Sequence, residues 1–276
     1  MLTDYHVHLR PDDETQGSVE RFFTKANAER YREAAAERGI DELGVAEHVY
    51  RFHQALEVWD HPFWRTYAVD DLDDYCAFVR EETDLKLGIE ADFIPGREDR
   101  IANLLDAREW DYIVGSIHFV GDQSLDTEEF TVWTQTASAD RVWKRYFETL
   151  AEAAQSGLFD ILAHPDLVKV WGKDRPMPDG DLRRFYYPAM EAIADCDVAI
   201  EVSTAGLRKP VGEIYPAPAF LEMAIDAGKP LALSSDAHTP DLLGHEYERT
   251  VELLDSMGVK EIAVFDGRER RMESLG

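Results

Sequence analysis

The chain has little cysteine, few basic residues and no long apolar run, and each shortage removes a class of protein. Only Cys76 and Cys196 occur in 276 residues, and neither lies in a metal-binding spacing. A disulfide framework and a thiolate zinc site both drop out, which favours a reducing cytoplasm. Lysine and arginine total 29 against 56 aspartates and glutamates, a formal net charge of -27. Such a surface repels phosphate backbones, so neither an extended nucleic acid nor an anionic membrane is expected as a partner. A small anionic substrate remains open, because divalent ions in a cleft reverse the local field. No apolar segment approaches bilayer length, and the chain does not begin with the basic stretch and apolar core of a signal peptide, so a soluble cytoplasmic protein is expected. Internal repeats and low-complexity segments are absent too. The 45% hydrophobic content over this length supplies a sizeable core, and one domain over residues 1–276 is expected.

What is present is an alternation of short apolar runs with longer helical patterns. The runs Asp4–His8, Glu42–Glu47, Leu85–Glu90, Tyr112–His118, Ile161–His164, Val198–Ser203 and Pro230–Asp236 read as buried parallel strands. Helical patterns lie near Ala26–Glu37, Leu72–Thr83, Arg97–Ala107, Asp140–Gln155, Asp181–Ala194 and Ala217–Ala227. This order predicts an α/β protein with seven strands, and Glu261–Phe265 is a candidate eighth. Two stretches break the rhythm, His48–Asp70 and Phe119–Thr136; both are rich in aromatics, including Phe130 and Trp133, and Trp171 follows the fifth strand. Long loops at barrel strand ends are where pockets are built.

Nearly every strand-like run stops on a histidine or a carboxylate. His6 and His8, two apart on one extended strand, face the same way and can share an ion. Alone the pair is a weak signal. With His48, Glu90, His118, His164, Asp236 and His238 at the other strand ends, it becomes a ring. Residues so scattered in sequence converge where the strands of a (β/α) barrel end. Imidazoles and carboxylates without thiolates suit zinc, manganese or iron. The candidates exceed the four ligands of one tetrahedral ion, so a bi- or trinuclear cluster is expected, with Glu90 as the bridging carboxylate. Clustered divalent ions activate water at neutral pH and hold the oxygens of a phosphoryl transfer.

On the segments His6–His8, Glu47–His48, Gly88–Glu90, Gly115–His118, Ala163–Pro165 and Ser235–His238, the chain resembles the polymerase and histidinol phosphatase (PHP) family of metal-dependent phosphoesterases, in its histidinol-phosphatase branch, over nearly its full length. The resemblance implies a distorted (β/α)7 TIM-like barrel with three divalent ions. It assigns His6, His8, Glu90 and Asp236 to one ion, Glu90, His118 and His164 to a second, and His48 and His238 to a third. The remaining ligand of the third ion follows His8, where many relatives carry a single His or Asp and this chain has Asp12-Asp13-Glu14. Asp13 is the choice, with Asp12 and Glu14 as alternatives.

Phosphate recognition needs cationic donors, and Arg208 and Lys209 follow the sixth strand in a Ser/Thr-x-Gly-x-Arg-Lys segment similar to one in this branch. Lys169, Arg51 and Arg10 are weaker candidates, and His53, His61 and His245 are expected on loops or helix surfaces. The expected reaction is hydrolysis of a small phosphate monoester, in which Asp236 orients or deprotonates the attacking water and His238 or Asp166 protonates the leaving alcohol. The resemblance points to L-histidinol phosphate as substrate, in histidine biosynthesis. The rivals are another phosphoester substrate such as a nucleotide or sugar phosphate, an amidohydrolase, which also opens with His-x-His, and a non-catalytic metal-binding module.

Overall fold

Buried parallel strands tolerate no polar stretch, and the apolar runs of this chain do pair side by side in the computed structural model, which describes residues 1–12 and 14–276. In chain order the strands are β1 (Thr3–Asp4), β2 (Glu42–His48), β3 (Lys86–Asp92), β4 (Tyr112–Ser116), β5 (Phe119–Val120), β6 (Gln123–Ser124), β7 (Ile161–Leu162), β8 (Ala199–Ser203), β9 (Leu231–Ser234), β10 (Glu261–Asp266) and β11 (Glu269–Ser274). Seven of them form one parallel sheet in the order β1-β2-β3-β4-β7-β8-β9. The two edges meet through a parallel bridge between Val7 and Ala237, where the His8 amide donates to the Ala237 carbonyl at 2.8 Å. Lower down, the Ser235 amide donates to the Asp4 carboxylate at 2.9 Å instead of to a strand. The result is a nearly closed, distorted (β/α)7 barrel.

The candidate eighth strand does not join this sheet. Residues Glu261–Asp266 pair antiparallel with Glu269–Ser274 as a separate hairpin. The two-residue turn explains why: Gly267 and Arg268 both have positive φ, 54° and 66°, which is the type I′ geometry that favours tight hairpins. The hairpin covers one end of the barrel. Its Phe265 packs edge-on against Tyr5 at 6.0 Å, and Tyr5 lies 4.9 Å from Tyr112, so three rings fill the interior there. A Cβ at Gly44 or Gly88 would overlap the Tyr112 ring, so the two glycines make the room it occupies.

The helices are α1 (Lys25–Glu37), α2 (Pro62–Tyr67), α3 (Leu72–Glu82), α4 (Glu98–Asp106), α5 (Ala139–Gln155), α6 (Arg183–Ala194), α7 (Pro218–Asp226) and α8 (Tyr247–Ser256). All six expected helices are present within a few residues; α2 and α8 were not anticipated. Helix α3 shows how the sequence writes them. Asp71 caps its first turn by accepting from the amides of Asp73 and Asp74, and Leu72, Tyr75, Phe78 and Val79 form its buried face. Tyrosines on these buried faces reach the strands. Tyr75 donates to the carbonyls of Val45 and Gly88, Tyr31 to His8 at 2.8 Å, Tyr146 to His164 at 3.2 Å and Tyr247 to Thr3 at 3.0 Å. Each hydroxyl satisfies a strand carbonyl and holds the backbone that carries, or neighbours, a candidate ligand. Among the described residues no helix is long and apolar enough to cross a membrane.

Candidate metal centre

Strand register alone brings the ring together. His48 and Glu90 are direct partners across β2 and β3, so their side chains leave the same face at the same height. The bridge between Val7 and Ala237 places His6-Val7-His8 beside Asp236-Ala237-His238, with both outer pairs turned to one side. His118 and His164 follow β4 and β7.

Glu90 stands at the centre. One oxygen, Oε1, lies 3.1 Å from His164 Nε2 and 3.3 Å from His118 Nε2. The other, Oε2, lies 3.2 Å from His6 Nε2 and 3.7 Å from His8 Nε2, and also meets His48 Nδ1. Asp236 Oδ1 is 3.3 Å from His8 Nε2 and 3.9 Å from His6 Nε2. A third corner is formed by His8, whose ring stacks at 4.1 Å on His48 and 4.2 Å on His238. Three sets of ligand atoms each fall within 4.8 Å: His6, His8 and Glu90; His48, Glu90 and His118; and His8, His48 and His238.

Two observations test whether these residues fit metal ions. Ligand atoms each about 2.0–2.2 Å from one ion lie about 3–4 Å apart, which is the spacing seen around Glu90. Second, His6 Nε2, both nitrogens of His8, His48 Nδ1, Glu90 Oε2 and Asp236 Oδ1 are buried without a hydrogen-bond partner among the described residues. Buried polar atoms are rarely left so, and here they converge. The residues fit.

Electrostatics agrees. Burial disfavours the charged carboxyl at Glu90, yet His48, His6 and His118 hold its pKa well below the usual carboxylate range. At His118 burial lowers the pKa, but Glu90 and Asp92 overcome it and lift it to about 10. Burial likewise opposes the charged ring of His6, while Glu201, Glu90 and Asp236 raise its pKa well above the ordinary value. His8 behaves oppositely: burial and then the neighbouring His48 and His238 push it well down, so it is a neutral ring. Without a cation the ring thus draws in protons to balance its carboxylates.

Behind the candidate ligands stands a second layer that sequence reasoning missed. Glu201 accepts from His6 Nδ1 at 2.8 Å and, through its other oxygen, from the His164 amide at 2.5 Å. Asp92 faces His118 Nδ1 at 2.9 Å. Such carboxylates fix the tautomer and aim of a ligating imidazole. The signal available was a carboxylate inside an apolar strand, as Glu201 is within β8. Backbone strain adds to the picture, since His164 and Asp236 both take positive φ, 27° and 50°. Residues other than glycine hold such angles only where the surroundings impose them, commonly at functional sites.

Of the acidic trio after His8, Asp13 lies outside the described residues. Its alternatives separate clearly. Asp12 Oδ1 lies 2.7 Å from His238 Nε2 and 3.5 Å from His48 Nε2, at the third corner. Glu14 turns away to pair with Arg21 and accept from the amides of Thr15 and Gln16. Arg51 is buried and holds Asp12 at 3.0 Å while pairing with Glu47; Arg10 is buried against Asp70 at 2.7 Å. Both arginines therefore support the loop from beneath. Asp166 is fully buried between Lys169, at 2.9 Å, and the Ala217 amide, at 2.7 Å, an environment that does not reach the cavity. His53, His61 and His245 stay out of the cluster; His61 caps α2 and stacks on Trp59.

A cavity of about 390 Å³ opens over the ring, reaching His48, His118, His164, Asp236, His238 and Asp12. Its walls come from the two irregular stretches, through Tyr50, Phe63, Tyr67 and Phe119, and from Trp171, whose indole donates to the Leu125 carbonyl at 2.7 Å. Phe130 and Trp133 do not line it. Lys209 does. Arg208 sits behind, donating from Nη2 to the carbonyls of Ser235 and Asp236 at 2.9 Å each, while its Nη1 is buried without a partner among the described residues.

The family model for the PHP domain matches residues 18–205, well over half of the chain. A protein of Deinococcus radiodurans named probable histidinol-phosphatase is 32% identical over 250 residues, covering 88% of this chain and 91% of that one. The histidinol-phosphatase of Lactococcus lactis is 22% identical over 270 residues, 96% of this chain and 94% of that one. A crystal structure of histidinol phosphate phosphatase from Lactococcus lactis, complexed with zinc, L-histidinol and phosphate, has the same fold, with a TM-score of 0.71 at 18% identity and 98% of each chain covered. With the barrel, the ligand ring and these matches together, the chain belongs to the PHP family.

Proposed function

We propose that this protein is a metal-dependent phosphate monoester hydrolase that converts L-histidinol phosphate and water to L-histidinol and phosphate, as a cytoplasmic enzyme of histidine biosynthesis. The observation that carries the reading is the convergence of His6, His8, His48, His118 and His164 on Glu90, with Asp236 beside His6 and His8, and with the facing atoms of His6, His8, His48, Glu90 and Asp236 unpartnered among the described residues beneath an open cavity. Three ions are our reading: one at His6, His8, Glu90 and Asp236, one at Glu90, His118 and His164, and one at His48 and His238. The compact sets His6-His8-Glu90 and His8-His48-His238 support the first and third, while the second rests on the approach of His118 and His164 to Glu90 Oε1, with His48 also near enough to share it. Asp12 completes the third in this reading. Bound there, divalent zinc, manganese or iron supplies activated water and neutralises phosphoryl charge.

The chain's own residues do the rest. Asp236 stays ionised, because His6, His8 and His238 outweigh the cost of its burial. Its carboxylate, which also holds the ion at His6 and His8, orients the attacking water and accepts its proton. Asp236 then hands that proton to the leaving alkoxide beside His238, whose side chain is 15% exposed at the cavity. Lys209 faces the phosphoryl oxygens, and the free Nη1 of Arg208 is the donor behind it. Water is excluded from the far side by Phe63, Phe119 and Trp171. The walls also suit the other half of the substrate: an imidazole stacks on Tyr50 or Trp171, and the half-buried Asp126 offers a carboxylate to its cationic groups. The test is a metal-reconstituted preparation assayed on L-histidinol phosphate beside sugar phosphates, nucleotides and amides. The highest kcat/KM on L-histidinol phosphate supports the reading. Equal or better turnover of another monoester rejects the substrate, and amide hydrolysis rejects the reaction.

A further inference from the structure

Four side chains lining the cavity carry a buried polar atom with no hydrogen-bond partner among the described residues: His48, His164, Asp236 and Tyr215. The first three belong to the ligand ring. Tyr215 does not, and neither its sequence position nor the family resemblance singles it out. A hydroxyl buried without a partner is unfavourable, and phenylalanine would fill the same volume without that cost.

The ring is also held unusually firmly for a side chain with an idle end. Its residue exchanges two backbone hydrogen bonds with Ser203 of β8, at 2.9 and 2.6 Å. The Lys169 ammonium sits 5.4 Å above the ring centroid and is itself fixed by Asp166, Glu213 and the Ile214 carbonyl. From the other side, Gly206 allows the segment to close in, since a Cβ there would collide with the Glu213 carbonyl and press on the Tyr215 ring. The ring centroid lies 6.2 Å from that of His164, edge-on, and the residue is 1% exposed. A clamped side chain with one free donor beside charged ligands is the arrangement of a preorganised binding group. With an ordinary pKa near 10, a phenol keeps its proton at neutral pH and donates.

We propose that the Tyr215 hydroxyl donates a hydrogen bond to a phosphoryl oxygen of the bound monoester. The proposal rests on the reading of the site as a phosphate monoester hydrolase, and adds a neutral donor to Arg208 and Lys209.

The test is Tyr215→Phe in the metal-loaded enzyme, which keeps the ring and removes the donor. It is assayed on L-histidinol phosphate and on p-nitrophenyl phosphate, with the inhibition constant for inorganic phosphate, metal content and Tm measured beside them. The expected result is a loss of about tenfold to a hundredfold in kcat/KM on both substrates and a similar weakening of phosphate inhibition, at unchanged metal content and unreduced Tm. Wild-type kinetics and phosphate inhibition would overturn the proposal. So would a loss confined to L-histidinol phosphate with phosphate inhibition intact, because that pattern places the hydroxyl at the leaving oxygen. If the wild type hydrolyses no monoester, the functional reading fails while Tyr215 remains testable by calorimetric binding of inorganic phosphate: weaker binding by the variant supports the donor, and equal binding refutes it.

Discussion

Removing the metal ions and adding them back at different pH is the perturbation whose size the structure sets most directly. In the metal-free chain the carboxylates around Glu90 are balanced by protons on imidazoles, and an imidazole must lose its proton to bind a cation. His118, with a pKa of about 10, is protonated at pH 7, and freeing it costs about 1.4 kcal/mol for each of three units, or about 4 kcal/mol. His6 is raised well above its ordinary value and behaves the same way, His48 is raised too, and His8 is already neutral. Filling the site at pH 7 should therefore release about two to three protons. The sign follows: raised pKa values in the metal-free state make apparent metal affinity fall as pH falls, by about tenfold per unit for each protonated ring displaced by one ion. Calorimetric titration of the chelator-treated protein with zinc, in two buffers of different ionisation enthalpy, counts the protons. Repeating it between pH 6 and 8 gives the slope. No proton release, or affinity independent of pH, would refute the electrostatic account of the ring.

Glu201→Gln keeps the shape behind His6 but removes the charge that aims it, and should lower metal affinity or activity about tenfold to a hundredfold, read by competition with a chromophoric chelator. Asp12→Asn should lose one ion per chain by plasma mass spectrometry while Glu14→Gln keeps full content; the reverse pattern would move the third corner. Gly88→Ala drives a methyl into the buried Tyr112 ring and should destabilise by about 1–3 kcal/mol, seen as a lower Tm without a change in metal specificity.

The ligand ring was legible because its signal is local and repeated: an apolar run ending on a histidine or carboxylate marks the mouth of a strand wherever it occurs. Strand order then follows from simple parallel connections, and the register of His48 against Glu90 adds what no spacing could state. Side-chain direction in a turn is not legible from spacing, which does not tell Asp12, resting on Arg51, from Glu14, paired with Arg21. Glu201 is internal to its strand and Asp92 follows Glu90 by two residues in β3, so neither stands apart as a terminal ligand, although a carboxylate such as Glu201 amid Ala199–Ser203 is costly to bury and marks itself by that cost. The run Glu261–Phe265 is legible as a strand but its place is not, because apolar content alone does not separate a barrel strand from a hairpin covering the barrel's end. The glycine-led two-residue turn Gly267-Arg268 is the hairpin signal that separates them. Tyr215 carries no motif at all; its interest lies in a buried hydroxyl without a partner among the described residues.

The account turns on Glu90 joining the ions of one catalytic centre. The most direct test measures metal content and phosphate release from L-histidinol phosphate together, in the wild type and in Glu90→Ala, with folding checked by circular dichroism. The account predicts a wild type with about three ions per chain, which loses activity to chelator and regains it with added metal. It predicts a folded variant that is depleted in metal and inactive. A Glu90→Ala protein that keeps its ions and full turnover would contradict it.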